Sequence, residues 1–212
     1  MRRSRKIKRQ ATPTYAFVVD GETEMWYLQM LKRNERKLSL EIKPEIPIKK
    51  SVEEQFKSVV ALSCEYSKVF WIIDLDVIIK ESRETQKGKK TPLHIFKECR
   101  RKIEKYQNVI VILNNPCLEF WFLLHFEKTS KLFDTCDKAK TKLKNYLKDY
   151  EKTKRYFTKQ DNDIYIKLRP FLETATHNSE RMGKFDMNEP TKAICQMHLL
   201  FLTDELKKYY KF

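Results

Sequence analysis

Glycine is scarce: there are three in 212 residues. A glycine-rich phosphate loop of the P-loop or dinucleotide type is therefore excluded, because those loops need several glycines at fixed spacing. No apolar run reaches the ~18 residues that a membrane span requires. The opening stretch "MRRSRKIKRQ" is basic but lacks the apolar segment of a secretory signal. Cysteines number only five, at Cys64, Cys99, Cys117, Cys136 and Cys195, and no C-x-x-C occurs. An odd, widely spaced set predicts neither a zinc cluster nor a disulfide framework, and it points to a reduced cytoplasm.

What is present is apolar residues in quantity and an uneven charge. Hydrophobic residues make up 41% and aromatics 12%, enough for one large domain or a domain with an appendage. The net charge is +15, with +6 in residues 1–10, +7 in residues 128–212 and only +2 between them. An acid-rich middle is thus flanked by basic segments. Such segments favour phosphate backbones through counterion release, and they equally fit a solvated lysine-rich surface. Residues 1–10 read as a tail, disordered when free, that folds onto nucleic acid.

Apolar runs at "YAFVV" (15–19), "KVFWIID" (68–74) and "NVIVILN" (108–114) read as buried strands. "SLEIKPEIPI" (39–48) reads as an edge strand limited by Pro44 and Pro47. Helices are expected after Gly21, after Ser51 with Glu54 completing a capping box, from Pro92, and from Pro116 with Asn115 as its cap. Residues 77–90 read as a polar loop. Alternating strands and helices predict an α/β core over 11–127 with a mostly parallel sheet flanked by helices. The region 128–212 is expected to be a helical C-terminal part, built from "TCDKAKTKLKNYLKDYEK", "DIYIKLRPFLETATHNSERM" and "PTKAICQMHLLFLTDELKKYY".

The carboxylates fall where strands end. Asp20 follows the first run, and Asp74 and Asp76 end the 68–74 run. In open α/β sheets, ligands bind beyond the carboxyl ends of the strands. If the two runs are neighbouring strands, the acids meet, and they repel unless a cation or a proton intervenes. Glu24 lies one helical turn beyond Asp20, and Glu22 is the weaker candidate. Oxygen donors with no cysteine or histidine nearby point to Mg²⁺ or Mn²⁺. Asp74 and Asp76 share a face if their strand continues. The alternative is that these acids only cap helix starts.

"VVDGETEMWYL", "WIIDLDV" and "NNPCLEFWFLLHF" together resemble the RloB family, whose members are similar to the Toprim fold. The match runs over roughly residues 14–127, and the third string is its most specific part. The resemblance implies a Toprim-like α/β core and metal-dependent phosphodiester cleavage in antiviral defence, while the basic segments point to the substrate class, DNA or RNA, with tRNA among the candidates. The resemblance also implies a catalytic and metal-binding set of Asp20, Glu24, Asp74 and Asp76, with a separate ATPase subunit as a partner, since this chain has no P-loop. One position departs from the pattern: Asp20 stands where the family usually has glutamate. A weakened or inactive site is the consequence to consider, which leaves a second reading, a non-catalytic module binding nucleic acid or a partner protein. A regulator whose acidic pocket senses a small ligand is a third.

Four further residues complete the expectation. Glu119, among Leu118, Phe120 and Trp121, is a metal-site candidate or a lysine partner. Asn115 and His125 belong to the same string, as a cap and as either a core or a site histidine. Lys152 is the candidate for holding the phosphate, chosen over Lys148 and Lys154. Tyr150, Tyr156 and Phe157 fit either base stacking or an ordinary apolar helix face.

Overall fold

The computed structural model describes residues 13–38, 41–46, 51–186, 189 and 192–212. The basic stretch 1–10 lies outside them. The elements are β1 (Thr14–Val19), α1 (Glu22–Asn34), β2 (Glu41–Glu45), α2 (Val52–Ser63), β3 (Lys68–Asp74), α3 (Leu75–Glu84), α4 (Pro92–Ile103), β4 (Val109–Asn115) and α5 (Leu118–Leu124). Then come α6 (Cys136–Leu143), α7 (Lys154–Phe157), α8 (Ile164–Leu168), a 3-10 turn (Arg169–Phe171), α9 (Leu172–Glu180), β5 (Ile194–Cys195), α10 (His198–Phe201) and α11 (Asp204–Tyr210).

One five-stranded sheet has the order β2-β1-β3-β4-β5. β1, β2, β3 and β4 are parallel and β5 is antiparallel. The apolar runs are buried on both faces because helices cover both, as parallel sheets require. Alternate residues point to opposite faces. Tyr15, Phe17, Phe70, Ile72 and Ile112 pack with α1, α5 and the C-terminal helices. Ala16, Val18, Val69, Trp71 and Ile73 pack with α2 and α4. β2 lies at the sheet edge, where its proline is tolerated.

This division of helices locates the site. α1 leaves β1 on one face and leads to β2, while α2 returns on the other face to β3. The chain direction across the sheet therefore reverses between β1 and β3. Neighbouring loops diverge at such a switch point and leave a crevice at the carboxyl ends of the two strands. Register pairs Val19 with Ile72 and Asp74 with Asn114, so Asp20 and Asp74 emerge side by side.

Three expectations are corrected. Residues 77–90 are not all loop, because α3 runs to Glu84. Its Leu75 and Ile78 are buried at helical spacing, while Lys80, Glu81 and Glu84 further along are exposed. Asn115 is not a helix cap: it is the last residue of β4, its bond to Pro116 is cis, and Cys117 precedes α5. The C-terminal region is not purely helical. Ile194 and Cys195 add β5 to the sheet, with Gln196 N–H donating to Leu113 O at 2.9 Å. Two residues are too few to display a strand period in sequence.

Elsewhere the C-terminal region is tied down by buried acids. Glu35 accepts from Tyr165 (2.7 Å), Tyr209 (2.6 Å) and Arg169 (2.8 Å). Asp163 accepts from Arg33 and Asn34 on α1 and from the Ile166 N–H of α8. Tyr15 and Lys68 on the strands bond Glu205 on α11. Tyr150, Tyr156 and Phe157 are all buried in the core, so their rings are spent on packing and not offered to bases.

Candidate functional site

A cavity of about 510 Å³ opens at the switch point. It is lined by Asp20, Glu22 and Glu24 from the β1–α1 side, Asp74 and Asp76 from the β3–α3 side, and Lys152 and Cys136 from the C-terminal region. All four principal acids therefore converge.

Neither helix start uses an acid as a side-chain cap. Gly21 holds the N-cap position of α1 and Asp74 that of α3, and neither makes a side-chain capping bond. At the two N-cap positions themselves, then, no acid side chain caps a helix. The idea that Asp74 and Asp76 alternate along one strand fails. β3 ends at Asp74, and Asp76 lies in the first helical turn, where N-terminal peptide dipoles favour an acid. Asp76 accepts from Val77 N–H at 2.8 Å. The turn into α3 brings it to the pocket by another route.

Each carboxylate has a distinct environment. Asp20 accepts from Gln55 Nε2 at 2.9 Å, and Gln55 Oε1 accepts from Trp71 Nε1 at 2.8 Å. Asp74 is 8% exposed and accepts from Asn114 Nδ2 and Leu118 N–H, both at 3.3 Å. Burial, then the charges of Glu24, Glu119, Asp20 and Asp76, push its carboxyl well above the usual range. Burial also lifts Glu24 to about 7, with Glu119 and Asp20 adding to the rise and a backbone hydrogen bond and Lys152 opposing it. Asp76 is raised by the same combination of burial and neighbouring acids. A Cβ at position 21 would lie 3.0 Å from Glu24 Oε2, so a larger residue there would press the Glu24 carboxylate aside.

Glu119 lies behind this lining, fully buried. Its Oε1 meets Tyr150 OH at 3.0 Å and Lys152 Nζ at 3.1 Å, and its Oε2 lies 3.0 Å from Cys136 Sγ. Burial disfavours the charge on Lys152, but Glu119, Glu24 and Asp74 outweigh it and hold the ammonium charged. Lys148 and Lys154 are exposed and line neither cavity. His125 is likewise outside the cavity. It is 1% exposed, its Nδ1–H donates to Trp121 O at 2.9 Å, and burial lowers it to about 3, so the ring is neutral. Asn115 donates to Lys192 O at 2.8 Å and faces a second cavity of about 580 Å³. That cavity adjoins the first through Asp76, Val77 and Cys136, and it carries Lys80 and Arg83.

The expectation of no disulfide is overturned, for Cys117 and Cys136 are bonded to each other. They are 19 residues apart, and only the packing of α5 against α6 brings them together. Cys64, Cys99 and Cys195 are free. Sequence reading also missed Gln55. Its signal was a polar residue on the apolar stripe of α2, in step with Val59 and Leu62. Gln55→Leu is expected to cost about 1–3 kcal/mol, because the Trp71 N–H is left buried without an acceptor. Urea denaturation reads this directly, and an unchanged midpoint contradicts it.

Fold and site together define an α/β protein with an acidic pocket at the switch point of a mostly parallel sheet. The family comparison is specific: a family model described as RloB-like protein matches residues 15–202. The chain belongs to the RloB-like family. Neither a curated protein nor a solved structure matches it. Among the described residues, no helix is long and apolar enough to cross a membrane.

Proposed function

We propose that this protein is a divalent-metal-dependent nuclease that cleaves phosphodiesters of DNA or RNA in antiviral defence. The observation that carries this reading is the convergence of Asp20, Glu24, Asp74 and Asp76 on one pocket at the switch point. The donor set fits Mg²⁺ or Mn²⁺, being all hard oxygen. Carboxyls driven upward by burial, and further by neighbouring acids, are also groups that an added cation would relieve. When bound, such an ion stabilises charge on a phosphoryl group and activates water.

The chain's own residues supply the rest. Lys152 lines the pocket and is oriented by Glu119, which suits it to hold a phosphate oxygen. Lys80 and Arg83 in the adjoining cavity suit a continuing backbone. Likeness to Toprim enzymes, drawn from the sequence strings, supports the same chemistry, and an ATPase supplied by another chain fits the absence of a P-loop. Incubation with plasmid, single strands and total tRNA in Mn²⁺ tests the reading. Cleavage of none of them by the wild type counts against it.

Asp20 favours a second reading, a binding module with a degenerate site. Gln55 holds the shorter side chain back at the strand end, and catalytic groups tolerate little displacement. Asp20→Glu separates the two. For a weakened enzyme, the restored residue is expected to raise cleavage at least ~10-fold. For a binding module, nucleic-acid affinity stays the same and no cleavage appears.

A further inference from the structure

Cys117 and Cys136 line the acidic pocket, yet the carboxylate chemistry makes no use of them. Cys136 is only partly buried and lines both the acidic pocket and the adjoining cavity. Cys117, by contrast, is 1% exposed at the start of α5. Beside them lies Glu119, one carboxylate oxygen of which is within 3.0 Å of the Cys136 sulfur. A disulfide sulfur carries no proton, so that oxygen receives no hydrogen bond from it.

We infer that reduction of the Cys117–Cys136 disulfide converts this wall into a binding site for one thiophilic divalent ion such as Zn²⁺, ligated by Cys117, Cys136 and Glu119. The two sulfurs and a Glu119 oxygen all lie within 4.8 Å of one another. Two thiolates and a carboxylate are a borderline-soft donor set, unlike the all-oxygen set next to it. The surroundings divide the two Glu119 oxygens. Oε1 is engaged by Tyr150 OH and Lys152 Nζ, while Oε2 faces the sulfur. Hydrogen bonds to the outer oxygen are how ligating carboxylates are usually oriented. Three protein ligands leave a fourth position for water on the cavity side, the arrangement of an open zinc site.

The chemistry balances with a dithiol reductant. One of its thiolates attacks the Cys136 sulfur, the bond to Cys117 breaks, and the mixed disulfide is resolved by the second thiol. Two electrons pass to the protein sulfurs, which take up two protons, and the reductant leaves as its own disulfide. Metal binding then releases the two thiol protons to solvent.

Cobalt titration tests this, because thiolate-to-cobalt charge transfer absorbs strongly in the near ultraviolet and reports sulfur ligation itself. Reduced wild type is expected to bind one equivalent of Co²⁺ with that absorption and to lose it on adding Zn²⁺. Oxidised wild type, with three alkylatable thiols in place of five, is expected to show none. Cys136→Ser should abolish the band, and Glu119→Gln should weaken binding at least ~10-fold. Asp74→Asn should retain the band, which separates this site from the carboxylate reading. Absence of the band in reduced wild type overturns the inference, as does its persistence in Cys136→Ser. The wild-type comparison needs no variant to fold.

Discussion

Asp74→Asn is expected to lower Mn²⁺-dependent cleavage roughly 100- to 1000-fold while leaving the fold intact. The magnitude is that of removing one preorganised electrostatic group from a catalytic site. Asp74 is the most enclosed of the acids lining the pocket from β3 and α3, and its strongest charge partner is Glu24 across the pocket. The substitution keeps the shape. An asparagine oxygen still accepts from Leu118 N–H. The new amide nitrogen replaces the oxygen that accepted from Asn114 Nδ2, so the Asn114 amide must flip, and its Oδ1, buried and without a partner among the described residues, then accepts from the substituted side chain. Cleavage and thermal unfolding measured on one preparation distinguish the causes. Lost cleavage with an unchanged melting temperature is the expected pair. Undiminished cleavage in a folded variant removes Asp74 from the chemistry and, with it, the convergence argument.

The part of this site legible in the sequence is the part set by strand ends. Continuous apolar runs fix where parallel strands stop, and Asp20 and Asp74 sit at those stops, so their positions at the sheet's carboxyl edge followed directly. That β1 and β3 are neighbours is not legible in the sequence, because strand order is a tertiary fact that no local run encodes. Asp76 reached the pocket through a helix where a strand was expected. Leu75, Ile78 and Ile79 do recur at helical spacing, but over so few residues, next to the polar stretch from Lys80 onward, that the period is easily read as the edge of a loop. The partners of Glu119 were invisible for another reason. Tyr150, Lys152 and Cys136 come from a region whose path back to the pocket depends on many long-range contacts, including the acid clamps at Glu35 and Asp163. The disulfide belongs with them, since its two cysteines look unrelated until α6 is laid against α5.

The cost of ionising the buried, crowded acids of the pocket should be measurable without any substrate. Glu24 titrates at about 7 in the fold, against an ordinary value of 4.5. A carboxyl raised on folding binds more protons in the native state. Its stabilising contribution is therefore complete below 4.5 and is lost as pH rises through 7. Asp74 and Asp76 act in the same direction. His125 and His198, both lowered by burial, act oppositely below their ordinary value of 6.5 and mask the trend in the wild type alone. Comparison with Glu24→Gln cancels them. Between pH 5 and 8, wild type without metal is expected to lose about 2–3 kcal/mol more than the glutamine variant. For a chain of this length that is roughly 5–10 °C in melting temperature. Saturating Mn²⁺ should remove most of the difference by stabilising the ionised wild-type pocket, and it should do little for the variant. Differential scanning calorimetry at the two pH values, with chelator or Mn²⁺, reads all four conditions. Parallel pH profiles for the two proteins would mean that Glu24 is not held protonated by its burial and its acidic neighbours together, and that the pocket does not need a cation to be ionised.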